Sequence, residues 1–384
     1  MSFLNTNRPT IAEINLDNLA FNFNSSRSFI GSDVKYMAVV KADAYGHGAV
    51  ECSRRLEAEG IGWLGVALIE EGVTLREAGV NTPILCLGGS WLGQEDALLS
   101  YDLTPVIDQL DRAETLNGLA QQKRRRIPVH IKIDTGMVRV GVRFDEVERF
   151  ATAIKKLENL HIDGLMTHFA VADDLQRNEF TDLQIRRFYD AVGIFRDLGF
   201  APSYIDLANS PGAVVHPESR GNMVRLGGIL YGLGGDILPG GVPKPDLKPV
   251  MSVRSKIADL KRVPKGEGVG YGHIFTTERD SLIATVPIGY HDGYRRGLSN
   301  KAKVIINGTF APVVGRVSMD WTVIDVTGVA DVAKGDDVVL IGEQNGLSYR
   351  AEDVAALVDT ISYEITCGIG PRVERRFIGT VKQK

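Results

Sequence analysis

The sequence has little cysteine, no long apolar run and no excess of positive charge, and each shortage excludes something. Cys52, Cys86 and Cys367 are the only cysteines in 384 residues. They are far apart and odd in number, so they build no disulfide framework and fit a reducing cytosol. No paired Cys/His spacing suggests zinc, and no metal is expected. No apolar stretch approaches the ~20 residues needed to cross a bilayer. Met1–Pro9 lacks a basic start followed by an apolar core, so no signal peptide is expected and the expected address is the cytoplasm. A formal net charge of −4 leaves no basic surface for nucleic acid or an anionic membrane. The one basic cluster, Lys123-Arg124-Arg125-Arg126, reads as a solvated helix end before a strand. P-loop, H-E-x-x-H and G-x-S-x-G patterns are absent. Gly60-Ile-Gly-Trp-Leu-Gly65 matches G-x-G-x-x-G but precedes its strand, where a dinucleotide fingerprint must follow one.

What is present is alternation. Short apolar, β-branched runs are followed by stretches of helical pattern over the first 230 or so residues. The runs are Val34–Lys41, Trp63–Leu68, Pro83–Leu87, Leu103–Ile107, Val129–Asp134, Ile162–His168, Tyr204–Leu207 and Met223–Gly227. Helices are expected between them, at Ala49–Glu59, Ile69–Ala78, Arg112–Gln122, Glu146–Glu158 and Thr181–Leu198. Eight such units predict an α/β fold of the TIM (β/α)8 type; a doubly wound open sheet is the competing arrangement. The Gly- and Pro-rich segment 232–246 reads as a linker. Beyond it the pattern is strand after strand: Met251–Val263, Ser281–Ile288, Ala302–Ile306, Ala311–Val317, Thr322–Val326 and Val338–Ile341, with one helix at Arg350–Leu357. Asn307-Gly308 reads as a hairpin turn. The expected division is a barrel over 10–245 and a mostly β domain over 246–384, which the opening strand 10–16 joins.

In such barrels functional residues gather at the C-terminal ends of the strands. Here those ends carry Lys41 and Tyr45 after strand one, Lys132 and Arg139 on and after strand five, and His168 after strand six. Asn209 and Ser210 follow strand seven, and Arg225, Gly227 and Gly228 end strand eight. Each alone has a plain structural reading, as a surface charge, a helix cap or a turn. Their occurrence on one face of the barrel is what points to a site. Backbone N–H groups near Ser210, Gly227 and Gly228 suit a phosphate dianion. A phosphorylated ligand opposite a lysine points to a Schiff base with pyridoxal 5′-phosphate (PLP), although a phosphosugar isomerase or aldolase would use the same parts.

The motifs that carry these residues resemble those of the alanine racemases. They are Ala38-Val-Val-Lys41-Ala-Asp-Ala-Tyr45-Gly-His-Gly48, His130-Ile-Lys132-Ile-Asp-Thr-Gly-Met-Val-Arg139, Met166-Thr-His168-Phe-Ala and Val224-Arg225-Leu-Gly-Gly-Ile-Leu-Tyr231-Gly. Further along come Val269-Gly-Tyr271-Gly, Ile288-Gly-Tyr290-His-Asp292-Gly-Tyr, Val314-Gly-Arg-Val-Ser-Met319-Asp320 and Ile361-Ser-Tyr363-Glu. They follow one another in order over nearly the whole chain.

The resemblance implies a PLP-dependent isomerase that interconverts L- and D-alanine and supplies D-alanine for peptidoglycan. It implies a homodimer with active sites shared between subunits. Lys41 would hold PLP as an internal aldimine and act as one base, and Tyr271 of the partner subunit would be the other. Tyr45, Asn209, Ser210, Gly227, Gly228 and Tyr363 would bind the cofactor at or near its phosphate. Arg225 would bond the pyridine nitrogen, and His168 would lie against the ring. Arg139 and the Met319 backbone would place the substrate carboxylate. Lys132 would be open to carbamylation, and Tyr290 would help form the entrance.

Two opposed bases suit racemisation, because a single base tends to return the proton to the face it left. A tyrosine needs its pKa lowered from near 10, which a cationic Arg225 linked through His168 would favour. The sequence departs from the family's common pattern at Val138, Gly228, Ser318 and Glu374, and His273 and His291 are unusual neighbours. These departures keep a broader amino-acid racemase, for example of serine, as the alternative. A related decarboxylase fits less well, because Tyr271 sits in its own motif. A non-catalytic PLP-binding protein would be a barrel alone.

Overall fold

The computed structural model describes residues 7–379. Eight parallel strands close on themselves: β1 (Lys35–Val39), β2 (Trp63–Val66), β3 (Ile84–Cys86), β4 (Leu103–Ile107), β5 (Ile127–Asp134), β6 (Leu160–Met166), β7 (Tyr204–Asp206) and β8 (Met223–Leu226). Each strand pairs with the next in chain order, and β8 returns to β1. The sheet is therefore a closed barrel and not an open doubly wound one. Its strands are covered inside and out, which is why they read as near-continuous apolar runs.

Alternation along each strand assigns an inside face. Met37, Trp63, Leu85, Val106, Met166 and Met223 pack together as one buried cluster within the barrel. His130 stacks on Tyr204, with ring centroids 5.6 Å apart. Two residues further along the same strands, on the same face, stand Lys132, Asp206 and Arg225, all buried. The barrel is thus a plug of apolar side chains with a charged layer above it, towards the C-terminal ends of the strands.

Seven of the strands are followed by a helix, from Ala49–Ala58 after β1 to Ser210–Val215 after β7. The place of the eighth is taken by Leu16–Ile30, which comes before β1 and packs on Ala49–Ala58 and on the turn Gly228–Tyr231. This helix is not evident from the sequence, because Asn18, Asn22, Asn24, Ser25 and Ser26 blur its apolar period. Its tertiary role accounts for two of them, and Asn18 donates to the Pro249 carbonyl at 2.7 Å. Buried Asn22 donates to the Leu230 and Lys248 carbonyls and accepts from the Lys248 amide, so it clamps the chain as it leaves the barrel. Asn15 caps the helix by accepting from the Asp17 and Asn18 amides.

Residues 232–246 form turns without helix or strand. Beyond them Met251–Lys256 runs at the centre of a second sheet, antiparallel to both Ile11–Asn15 and Asp337–Gln344. Ile11–Asn15 also pairs in parallel with Glu374–Ile378, so the opening strand does join this sheet. The expected single strand Met251–Val263 is two strands. It breaks at Ile257–Ala258 because the chain changes sheets there, and Asp259–Val263 pairs with Ser281–Val286 in a separate three-stranded sheet. The expected strand Ala311–Val317 is Thr309–Pro312 instead. Its end coincides with Pro312, which has no N–H to extend a ladder. Asn307 and Gly308 take φ of 49° and 72°, the hairpin turn their sequence predicts. Helix Ser362–Gly368 and strand Glu374–Ile378 are not evident from the pattern alone. Residues 380–384 of the expected second domain lie outside the described residues.

Candidate active site

Lys41 leaves the top of β1 on an unusual path. Ala42, Asp43, Ala44 and Tyr45 all have φ of 53–54°, one turn of left-handed helix made of residues with side chains. Such backbone costs about 1–2 kcal/mol per residue and persists only where its surroundings over-determine it. Here they do. The Ala44 amide donates to the Val40 carbonyl at 2.9 Å and the Gly48 amide to the Asp43 carbonyl at 2.9 Å. The Asp43 carboxylate accepts from the Ala49 amide at 2.7 Å. Glu71 accepts from the Ala42 amide at 2.6 Å with one oxygen and from the Ala67 and Leu68 amides with the other. Glu71 therefore ties the turn after β1 to the turn after β2. From the second domain, the Thr366 carbonyl sits 2.2 Å from where a Cβ on Gly46 would stand, and Arg375 donates to the Gly46 carbonyl. Only glycine fits there, with φ of +83°.

The turn aims Lys41 into the barrel mouth, where its Nζ has no hydrogen bond among the described residues. Burial lowers its pKa, the charges of Arg139 and Arg225 lower it further, and Glu71 opposes them. That favours the neutral, nucleophilic amine. Lys132 is pulled down to about 8, by burial first and then by Arg225 and Arg139.

Arg225 is almost fully buried, and the fold spends four of its five donors. Nη2 donates to the Thr167 and Leu207 carbonyls at 2.8 and 3.0 Å and lies 3.4 Å from His168 Nδ1. Nη1 donates to the Asp206 carboxylate, in a buried ion pair, and to the Asp206 carbonyl at 3.4 Å. Nε is left without a partner among the described residues, and it is the donor available to a ligand above. His168 is driven well below its ordinary pKa, by burial first and then by Arg225, Lys132, Arg139 and Lys41. It is neutral at neutral pH, with Nδ1 facing the guanidinium as an acceptor.

Beside this layer is a polar cradle. Ser210 Oγ accepts from the Gly227 amide at 2.9 Å. Asn209 caps helix Ser210–Val215 by accepting from the Gly212 amide, so its side chain is committed to holding the loop. A Cβ on Gly227 would stand 2.8 Å from Tyr45 Oη, and one on Gly228 would stand 2.5 Å from Tyr363 Oη. The Tyr45 and Tyr363 rings lean together, with centroids 5.2 Å apart. Burial pushes the pKa of both phenols up, so both hydroxyls keep their protons and can donate. Three hydroxyls thus converge on a stretch of backbone that has no side chain to fill the space. This suits a phosphate in size and in donor chemistry. Gly228 departs from the common pattern with a reason: the Tyr363 ring occupies the room a side chain would need.

The remaining residues fall in two places. Arg139 is exposed beside the mouth, after a loop in which the Asp134 carboxylate accepts from the Gly136 and Val138 amides. Val138 holds φ of 54°, a costly conformation for a β-branched residue, where glycine would be free. Tyr271, Tyr290 and Met319 lie on the second domain, all exposed, with Ile274 and Trp321. Among the described residues no hydrogen bond or ring contact joins Tyr271 to the barrel mouth of its own chain.

Tyr290 and the Met319 turn are supported by one buried carboxylate. Asp292 accepts from both Nη groups of Arg8 at 2.8 Å, from the Gly289 amide at 3.0 Å and from Arg372, which also bridges to Asp320. Burial pushes the Asp292 carboxyl up, but Arg8 and the Gly289 amide outweigh it and hold the pKa below its usual value. The stabilisation is therefore full above the unfolded-state pKa and is lost as pH falls through the depressed one. Asp292→Ala is expected to cost about 3 kcal/mol by stranding two arginines. Urea unfolding at neutral pH checks this, and the difference from wild type should shrink in acid.

Glu71 and Asp206 are the functional-layer residues that sequence reasoning missed. Asp206 had a signal: it is an acid inside a buried barrel strand, in inward register with Tyr204.

Comparisons with known proteins identify the family. The family model described as alanine racemase, N-terminal domain, matches residues 14–234, and that of the C-terminal domain matches 250–377. The chain is 43% identical over 376 residues to an alanine racemase of Geobacter sulfurreducens, covering 97% of each chain. It superposes with a TM-score of 0.91 on the alanine racemase from Bacillus anthracis with bound L-Ala-P, at 34% identity, covering 100% of this chain and 97% of that one. The alanine racemase from Bartonella henselae with covalently bound pyridoxal phosphate gives 0.85 at 30% identity, covering 96% and 99%.

Proposed function

The chain belongs to the alanine racemase family, a family of PLP-dependent isomerases, and from that premise we propose that it interconverts L- and D-alanine by a two-base mechanism. The observation that carries this reading is the convergence of Lys41, Arg225, His168 and the three-hydroxyl cradle at one barrel mouth.

Lys41 would hold PLP covalently through Nζ, and the lowered pKa of the amine favours that attachment. Tyr45, Ser210, Tyr363 and the backbone of Gly227 and Gly228 would hold its phosphate, with Asn209 supporting the loop. Arg225 Nε would donate to the pyridine nitrogen, and neutral His168 would pack beside the ring. Bound PLP supplies an electron-withdrawing ring that makes the substrate Cα proton acidic. Lys41 would move the proton on one face of Cα. Tyr271 of the partner subunit would move it on the other, which fits a tyrosine left 73% exposed on its own chain. Arg139 and the Met319 N–H would orient the substrate carboxylate, and Tyr290 would narrow the entrance. Exposed Ile274, Tyr290, Met319 and Trp321 form the apolar surface that a second copy would cover in a homodimer.

The division of labour follows two units. The barrel, 10–245, would carry the cofactor, and 246–384 would supply the second base in trans. The Lys132 amine, at a pKa of about 8, offers a useful fraction of the neutral form that adds carbon dioxide, and a carbamate there would hold Arg139 by opposite charge. A cytoplasmic location, and D-alanine as a precursor of peptidoglycan, complete the proposal and rest on the family resemblance.

The test is proton exchange. Holoenzyme in deuterium oxide should convert L-alanine to D-alanine, and D-alanine to L-alanine, with deuterium at Cα of each product. Serine and larger amino acids run alongside should exchange far more slowly. Rapid exchange of serine with none of alanine would overturn the assignment in favour of a different substrate.

A further inference from the structure

The mechanism above leaves unused one fully buried acid that bonds to Arg225. Asp206 is fully buried on β7, facing into the barrel, where burial raises its pKa against the opposing pull of Arg225, and its carboxylate takes the Nη1 donor of Arg225. Its second oxygen has no hydrogen-bond partner among the described residues. It is the only carboxylate bonded to Arg225 among the described residues. The other charged groups around the mouth are mostly basic. Lys41 comes from β1, Lys132 from β5 and Arg139 from the loop after β5, with neutral His130 below on β5 and neutral His168 on β6. Asp108 after β4 and Glu71 after β2 are the acids further out, and the chain pairs them elsewhere, with Arg112 and with backbone amides.

We propose that Asp206 is a positioning residue for the racemisation, one that turns the Arg225 guanidinium so that Nε faces the cofactor ring and balances its charge there. This rests on the reading that the site holds PLP. Two features of the geometry carry it. First, Arg225 has five donors and a rigid plane, so fixing Nη1 on Asp206 and Nη2 on the Thr167 and Leu207 carbonyls leaves the direction of Nε no freedom. Second, a buried guanidinium without a counter-ion would add its full charge to that of Lys41, Lys132 and Arg139, whereas with Asp206 the pair offers the ring nitrogen a hydrogen-bond donor and little net charge.

The consequences have a sign. Loss of the Asp206 charge lowers the pKa of every group nearby, because it removes an anion that favours protonated forms. Lys41, Lys132 and His168 would all shift the same way. Wild type, Asp206→Asn and Asp206→Glu holoenzymes are compared by kcat and KM for alanine, by the pH profile of kcat/KM, and by the absorbance spectrum and affinity of bound PLP. Asp206→Asn keeps the shape and the accepting oxygen. It should keep PLP bound with an altered spectrum, lose about tenfold or more in kcat with KM changed less than about threefold, and move both limbs of the pH profile to lower pH.

Asp206→Glu keeps the charge but shifts the guanidinium by a methylene. It should lose kcat while its pH limbs stay near those of wild type. A wild-type spectrum, kcat and pH profile in Asp206→Asn would overturn the inference. Should that variant not fold, wild-type kcat in a folded Asp206→Glu would overturn it equally. If wild type itself shows no PLP absorbance, it is the underlying reading that fails, and the two failures are distinguishable.

Discussion

Lys41→Ala is expected to abolish the visible absorbance of the lysine-bound cofactor and to lower kcat about 10⁴-fold or more, because in the proposed mechanism one residue would supply both the covalent hold on PLP and one of the two bases. The fold should survive. Lys41 is only half-buried and has no hydrogen bond among the described residues, and the left-handed turn that carries it is held by Val40, Glu71, Asp43 and Gly48. Removing the side chain leaves those contacts in place. Circular dichroism and thermal unfolding should therefore match wild type within a few degrees. PLP should still associate reversibly through its phosphate, so equilibrium dialysis would find weaker binding and not none. An unchanged spectrum after dialysis would mean that another amine holds the cofactor.

Tyr271→Phe is expected to leave the spectrum intact and to remove most of the racemisation, by about 10²–10⁴-fold, the usual worth of a positioned acid–base group. The loss should be uneven. If Tyr271 serves the face from which L-alanine loses its proton, exchange of the Cα proton from L-alanine should fall while exchange from D-alanine, on the Lys41 side, persists. A single-turnover exchange experiment with each enantiomer reads this directly. The subunit origin of the base gives a second, sharper test. Lys41→Ala and Tyr271→Phe subunits are each inactive alone, but a mixed dimer would contain one site with both native bases. Denaturing and refolding them together at equal amounts should recover activity. No recovery in hybrids confirmed by mass spectrometry would show that the two bases belong to the same chain.

The barrel is legible in the sequence because a closed parallel sheet needs strands that are apolar on both faces, and those runs stand out between helical stretches. The cluster of Lys41, Lys132, His168, Ser210 and Arg225 is legible for a related reason. All lie at or just past the C-terminal ends of their strands, so strand boundaries alone assign them to one mouth. The helix Leu16–Ile30 is not legible in this way. Two of its polar residues are explained by partners more than 200 positions away, Asn18 by Pro249 and Asn22 by Lys248. The break after Lys256 is hidden for the same reason, since nothing local marks the point at which a strand leaves one sheet for another.

The sequence by itself determined which candidate groups gather at one barrel mouth and which family their motifs resemble. A lysine after the first strand, glycines and hydroxyls after the seventh and eighth, and a separate tyrosine motif in a β-rich second half are one-dimensional facts, and they name the candidate groups. Tertiary structure alone decided how those groups are poised. Four consecutive left-handed residues cannot be inferred from Ala-Asp-Ala-Tyr, because the conformation is disfavoured locally and exists only through Glu71, Gly46 and the second domain. Likewise, nothing in the spacing pairs Asp206 with Arg225. Two strands adjacent in the barrel, in matching inward register, bring an acid and a base together where water cannot reach them, and burial is what makes their pairing matter.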